Sequence, residues 1–268
     1  MAGNTKALRV RIKSVSSTLQ LTKAMGLVAS SKIRRANETM QKGRDYAAAL
    51  QQTIGLLTAD RECLKSPYMQ QRNTQRTRLV VIAGDRGLAG GYNANVFRLA
   101  AQYPEAEILP IGKRACERFG KSVVSSERFS FEDATALADR LCADFAAGEY
   151  DRLGVLSTEY RSVMTQEAPV RWLLPLSKSE QKNTAGIVFE PDELTVLNNV
   201  VREYVAGMIT VCVRESFASE VAARRMAMDS AGKNAKQMID ELQLEYNRAR
   251  QGAITQEITE IVAGSGNS

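Results

Sequence analysis

The placement of proline constrains this chain more than any other feature. All six prolines lie between Pro67 and Pro191, so residues 1–66 and 192–268 are free of the one residue that interrupts a helix. An unbroken helix over the second stretch would be roughly 100 Å long at 1.5 Å per residue, more than a globular domain requires. Such a helix must bury its apolar side, and the only comparable proline-free stretch is the first. The two ends of the chain are therefore expected to pair, and the middle to fold by itself.

The N-terminal stretch carries the pattern such pairing needs. Leu8, Ile12, Val15, Leu19, Thr22, Gly26, Ala29, Ile33, Ala36, Met40, Gly43, Ala47, Leu50, Ile54 and Leu57 follow one another in alternating steps of four and three. That spacing is the seam of a left-handed coiled coil. The seam is large at both ends and small between them, where Thr22, Gly26, Ala29, Ala36 and Gly43 let a partner backbone come close. In the C-terminal stretch Leu194, Leu197, Val201, Val205, Met208 and Cys212 form a first run. After a phase change near Glu215, a second run follows through Val221, Met228, Ala235, Ile239, Leu242, Tyr246, Ala249 and Ala253. Beyond it Ile254, Ile258 and Ile261 form a separate stripe, an apolar tip that needs a further partner to cover it.

Between the arms, residues 60–78 read as a polar, partly disordered connection. A buried-strand run over residues 79–83 then leads through a glycine-rich turn, residues 84–91, into a helix. A second strand around Ile108, a helical KRACERFG, an amphipathic helix over residues 131–151 and strands at LGVLSTEY and VRWLLPLS complete an α/β alternation with a mainly parallel sheet. Trp172 is expected in its core. The predicted division is 1–59 (helix), 60–78 (linker), 79–190 (α/β domain) and 191–268 (helix).

Composition closes several classes of chemistry. The sequence has no histidine, which excludes Ser-His-Asp, Cys-His and His-metal sites. Its four cysteines are far apart and form no CxxC pair, which fits a reducing compartment and not a zinc site. Net charge is +6, unevenly spread: residues 1–50 hold ten basic residues against two acids, and residues 192–268 hold eight against eleven. The arms are electrostatically complementary, with a basic excess on the first that suits an acidic partner. The polar, basic start lacks a signal-peptide core, and residues 205–213 are too short and interrupted an apolar run to span a bilayer. A soluble protein, or one attached through partners, is expected.

The glycine-rich turn invites a nucleotide-binding reading, but Gly84, Gly87 and Gly90 give GxxGxxG, no GK[ST] follows, and Asp85 would oppose a pyrophosphate. The acidic pairs Glu132/Asp133 and Asp240/Glu241 point different ways on a helix and make poor acid–base dyads. Nucleic-acid binding by the basic arm lacks interleaved aromatics, and its seam is already committed.

Three stretches together resemble the gamma-subunit family of the F-type, proton-translocating ATP synthase, in its bacterial form. RIKSVSSTLQLTKAMGLVASSKIRRA (11–36) is similar to the family's first long helix, DRGLAGGYN (85–93) to its central-domain signature, and SEVAARRMAMDSAGKNA (219–235) with LQLEYNRARQGAITQEITEIV (242–262) to its last helix. The resemblance implies an α/β fold, with a long antiparallel coiled coil of the terminal helices and a central α/β (Rossmann-like) domain. It implies a non-catalytic rotor inside a ring of three alpha and three beta subunits, with the epsilon subunit and the c-subunit ring at its foot. Such a rotor couples proton flow to ATP synthesis or hydrolysis. No cofactor is expected on this chain, since ATP, ADP and magnesium belong to alpha and beta. The expected location is peripheral, on the cytoplasmic side of the cell inner membrane.

Carried onto this sequence, the resemblance implies beta-subunit contacts at Lys23, Met25, Lys32, Arg224, Arg250 and Gln251. It implies a bearing tip at Ile254, Ile258 and Ile261, and a central-domain turn with Asp85, Arg86, Gly87, Gly90 and Gly91. Ala89 stands where many members have cysteine, AGKNA (231–235) replaces a more usual threonine-containing version, and Gly26 stands where a longer residue is common. The cysteine insertion of chloroplast members is missing, so thiol regulation is not expected. The alternative kept open is a nucleotide-binding α/β protein with helical arms.

Overall fold

The computed structural model describes residues 2–72, 76–160, 162, 166–180 and 186–265. Residues 73–75 of the predicted linker and 266–268 of the predicted C-terminal helix lie outside them. Helix α1 spans Ala2–Leu57 and helix α5 spans Glu193–Ser265. Every position of the predicted N-terminal seam is buried or half-buried, and so is every position of the predicted C-terminal seam. The three-four spacing therefore marks the packed edge of both helices, as the coiled-coil geometry requires.

The chain forms two units, and their division falls inside the helices. One consists of Met1–Ala29 with Arg225–Ser268, the other of Ser30–Arg224. In the first unit α1 and α5 run antiparallel: Arg9 donates to the Tyr246 hydroxyl at 2.8 Å, and Gly26 faces Met228. Gly232 lies against Thr22 and Leu19. These small residues bring the two backbones close at the middle of the seam.

The second unit is built around a sheet. Strands β1 (Thr77–Ile82), β2 (Glu107–Ile111), β3 (Arg152–Leu156) and β6 (Val170–Leu174) assemble in the order β2-β1-β3-β6. The first three are parallel and β6 is antiparallel to β3. Strands β4 (Glu159–Tyr160) and β5 (Gln166–Glu167) form a separate short pair. Strand β1 is buried on both faces, which explains its uninterrupted apolar run. Val80 and Ile82 join the larger core with helix α4 (Phe131–Ala147) and α5, while Leu79 and Val81 join the smaller one with α2 (Tyr92–Ala100) and α3 (Lys113–Phe119). Helix α4 starts on a capping box in which the Ser130 hydroxyl accepts from the Asp133 N–H and the Asp133 carboxylate accepts from the Ser130 N–H.

Within this unit the second half of the seam is a core rather than a two-stranded coil. Val205, Ala206, Ile209 and Cys212 of α5 are fully buried, packing toward the sheet as well as toward α1. That shared environment is why the pattern of α5 is less regular than that of α1. It also corrects the reading of its apolar content: an 18-residue window of α5 reaches a mean hydropathy of 1.2, enough by composition to cross a bilayer, but 67% of it is buried inside the protein.

Two further expectations change. The segment after α1 is not a loose connection in its described part: Glu62–Lys65 and Pro67–Met69 form 3-10 turns with Cys63, Tyr68 and Met69 buried. Trp172 is not core. It is 37% exposed on the sheet, with the Arg152 guanidinium 3.9 Å above its ring and Tyr103 against its edge. Gly154 opposite it leaves room for the ring to lie on the sheet, since a β-carbon there would meet Leu79 at 2.8 Å and Trp172 at 3.0 Å.

Candidate coupling sites

The glycine-rich turn follows β1 and its groups are spent on the protein itself. Asp85 accepts from the backbone N–H groups of Lys113 at 2.9 Å, Ser126 at 2.9 Å and Glu127 at 3.1 Å, and from the Ser125 hydroxyl at 2.5 Å. One carboxylate thus ties the turn to the start of α3 and to the segment before α4. Burial works against its charge, but these four donors prevail and hold the Asp85 carboxyl below its ordinary range. An anion such as a pyrophosphate would meet a carboxylate in this turn, not a free cradle of amides.

The same turn grips α5. The Asn93 side chain accepts from the Gly84 N–H at 2.9 Å and donates to the Arg86 carbonyl at 3.3 Å, which fixes the loop between them. The Tyr92 hydroxyl, fully buried, donates to the Ser216 carbonyl at 3.0 Å and lies 2.5 Å from the Ser216 hydroxyl. Gly84 is needed because a β-carbon would fall 2.7 Å from the Glu220 carboxyl. Gly112, at φ +99°, has no room either: a β-carbon there would lie 1.9 Å from the Ala83 carbonyl oxygen. Gly90 takes φ 58°, while Gly91 at φ −82° caps α2 without a left-handed backbone. Leu88, the one described non-glycine residue at positive φ (60°), holds its side chain 65% exposed at the loop tip.

Arg224 closes this arrangement. Its Nη2 donates to Glu220 at 2.5 Å, to the Gly87 carbonyl at 3.2 Å and to the Arg86 carbonyl at 3.4 Å, and its side chain is only 12% exposed. Burial pushes the Glu220 carboxyl above its ordinary range, against the pull of Arg224. A second charged node lies further back on α5. Glu215, 2% exposed, accepts from Arg44 Nε of α1 at 2.6 Å, while Arg171 of β6 places Nη2 2.8 Å from its other oxygen. Arg44 also donates to the Tyr160 carbonyl at 2.6 Å. The phase change near Glu215 is thus where α5 exchanges a seam residue for an ion pair.

The remaining predicted contact residues divide by exposure. Lys32 is held by Glu127 at 2.7 Å, and Glu127 also receives Arg86 at 3.3 Å; the Lys32 hydrogen bond, ahead of burial, lowers the Glu127 carboxyl. Gly87 supplies only its carbonyl, to Arg224. Lys23 is exposed and Met25 half-buried on α1; Arg250 and Gln251 are exposed on α5. Ile254, Ile258 and Ile261 are 47%, 57% and 70% exposed, with Val262 at 64% beside them. The structure therefore brings Arg224 together with the turn residues. It does not bring Met25 to Arg250 and Gln251, because Gly26 faces Met228 while Arg9 faces Tyr246. Sequence reading missed Glu220, Ser216, Glu215 and Glu127. A signal existed for three of them: Glu215, Ser216, Ser219 and Glu220 are polar residues crowded into an apolar stretch of α5, and all four are buried.

Comparison with known proteins agrees across the whole chain. The protein family described as "ATP synthase" matches residues 4–266. A relative named ATP synthase gamma chain, from Ruminococcus albus, is 41% identical over 98% of both chains. Another, from Acetobacterium woodii, named ATP synthase gamma chain, sodium ion specific, is 37% identical over 99% of both. Among solved structures, a chain of the Euglena gracilis mitochondrial ATP synthase in rotational state 3 shares the fold with TM-score 0.71 at 17% identity, covering 98% of this chain and 94% of its own. A chain of the Tetrahymena thermophila central stalk and c-ring does so with TM-score 0.60 at 23% identity, covering 79% and 99%.

Proposed function

The chain belongs to the ATP synthase gamma-chain family, and from that premise we propose that it works as the central rotor of an F-type ATP synthase. It turns within the alpha and beta subunits and is driven or followed by the c-subunit ring. Ion flow through the membrane sector, read here as protons, is coupled by that rotation to ATP synthesis or hydrolysis. The epsilon subunit is the further partner, and the complex sits on the cytoplasmic side of the inner membrane.

The observation that carries this reading is the apolar end of α5. Ile254, Ile258, Ile261 and Val262 are exposed on a helix whose preceding seam residues are all covered. An exposed apolar stripe of this kind marks an interaction surface, and a surrounding collar buries all of it. Arg250 and Gln251, exposed just before the stripe, are placed to hydrogen-bond the same collar. Such contacts must be remade at every step of rotation, which suits solvated charges worth about 1 kcal/mol or less.

The chain supplies no catalytic group in this reading and binds no cofactor of its own. The lack of histidine supports that, as does the Asp85 carboxylate in the turn that resembles a nucleotide loop. Reconstitution tests the proposal: purified chain added to alpha and beta subunits should assemble an ATPase whose rotation is visible with a bead attached to the chain. Assembly without ATP-driven rotation of the bead would sink it.

A further inference from the structure

One cavity in the Ser30–Arg224 unit is not absorbed by the rotor role. It has a volume of about 520 Å³ and opens between α1, the segment before α4, and α5. Its walls carry two kinds of chemistry. Lys32, Arg35 and Arg214 line it together with one carboxylate, Glu127, which is already bound by Lys32 and Arg86. Arg35 and Arg214 have no ion-pair or hydrogen-bond partner among the described residues. Arg214 lies across Gly43 of α1, with Nη1 3.4 Å from where a β-carbon would stand. Phe129 and Phe217 supply flat apolar surface to the same cavity.

Ser126 adds an independent pointer. It is 5% exposed and lines this cavity, yet its hydroxyl oxygen has no hydrogen-bond partner among the described residues. Its backbone N–H donates to Asp85 Oδ1 at 2.9 Å, which anchors the main chain at the cavity wall. Buried hydroxyls are almost always satisfied, and an orphan lining the same cavity as two guanidinium groups without a partner among the described residues marks a place where an oxygen-rich group is expected.

We propose that this cavity is a binding site for a small aromatic oxyanion. Its charged head is taken by Arg35, Arg214 and the Ser126 hydroxyl, and its ring lies against Phe129 and Phe217. The volume is within the usual range for small-molecule sites. A nucleoside phosphate and a plain aromatic sulfonate or carboxylate share this chemistry. The occupant links α1 to α5 and so stiffens the unit.

Calorimetry on the purified full chain with ADP, 8-anilinonaphthalene-1-sulfonate and inorganic phosphate tests it. One aromatic anion should bind per chain, the two should compete, and inorganic phosphate should bind at least about tenfold more weakly because it leaves the apolar wall unused. R35A combined with R214A should weaken aromatic-anion binding by about tenfold or more. Ser126→Ala should weaken binding while leaving the unfolding temperature of the free chain unchanged or higher, since it removes an unsatisfied hydroxyl. Binding of either aromatic anion that the variants lose supports the site, and the tighter of the two identifies the preferred class. Absence of saturable binding by both, binding untouched by the double variant, or phosphate binding as tight as ADP would each overturn it. Reconstitution of rotation does not enter this test, so the two readings stand or fall separately.

Discussion

Arg44 on α1 donates to Glu215 on α5 at 2.6 Å, joining the two long helices through a carboxylate that is 2% exposed. Buried carboxylates gain little net stability over an apolar pair, but removing one side of the arrangement leaves charge stranded. Glu215→Ala would strand Arg44 beside Arg171, with Glu159, 3.5 Å from Arg171 Nη2, left to offset two guanidinium groups. A loss of about 3–5 kcal/mol is expected, read by urea unfolding. Arg44→Ala should cost less, because Arg44 is 35% exposed and Arg171 still neutralises Glu215.

Two carboxyls at the turn should bend stability with pH in opposite directions. Asp85 is held below its ordinary value of 3.8, so its contribution is complete above that value and disappears as pH falls through the folded one. Glu220 is raised above 4.5, so its contribution is complete below 4.5 and disappears as pH rises through the folded value. Unfolding free energies across that range should show Asp85→Asn flattening the acid limb and Glu220→Gln flattening the decline on the other side. Identical slopes in both variants and the parent would contradict these assignments.

Arg224 and Arg250 should separate stability from assembly. Arg224→Ala strands a buried Glu220 and is expected to cost about 1–3 kcal/mol in the isolated chain. Arg250→Ala, at an exposed position, should change isolated-chain stability by no more than about 0.5 kcal/mol while altering ATPase turnover of the assembled complex. Equal destabilisation by both would show that the exposed arginine has a structural role.

The thiols should be slow to react. Cys63, Cys116, Cys142 and Cys212 are all free and buried, and burial pushes the Cys63 thiol up to about 11 and the Cys142 thiol up to about 12. Labelling with a disulfide dye at neutral pH should proceed only at the rate of opening and become rapid in denaturant.

The two long helices were legible because a seam is a matter of spacing, and spacing survives in sequence. Even Thr22, Gly26 and Gly43, which carry little hydrophobic signal, fell on it and are buried or half-buried. Strand β1 was legible for a related reason, as a short apolar run ahead of a glycine turn. What escaped depends on contacts distant in sequence. Cys63, Tyr68 and Met69 are buried by turns too short to show a period. Trp172 packs over Gly154 of the neighbouring strand while staying 37% exposed, a cross-strand relation that its own apolar run does not reveal. From sequence Arg224 is expected only as a beta-subunit contact, and nothing in AARRM reveals that Glu220 and the carbonyls of the turn also lie within its reach.

The grip of Tyr92 on Ser216 carries a mechanical meaning for a part that must transmit torque. A greasy seam resists separation but offers little resistance to slippage along or around its axis, since one apolar ridge can replace the next. Directional bonds do not exchange so readily. By fastening the turn to α5 through Tyr92 and Arg224, the unit acquires a key in a keyway. Any load passed between the α/β body and the helix is then borne by directional bonds as well as by the seam.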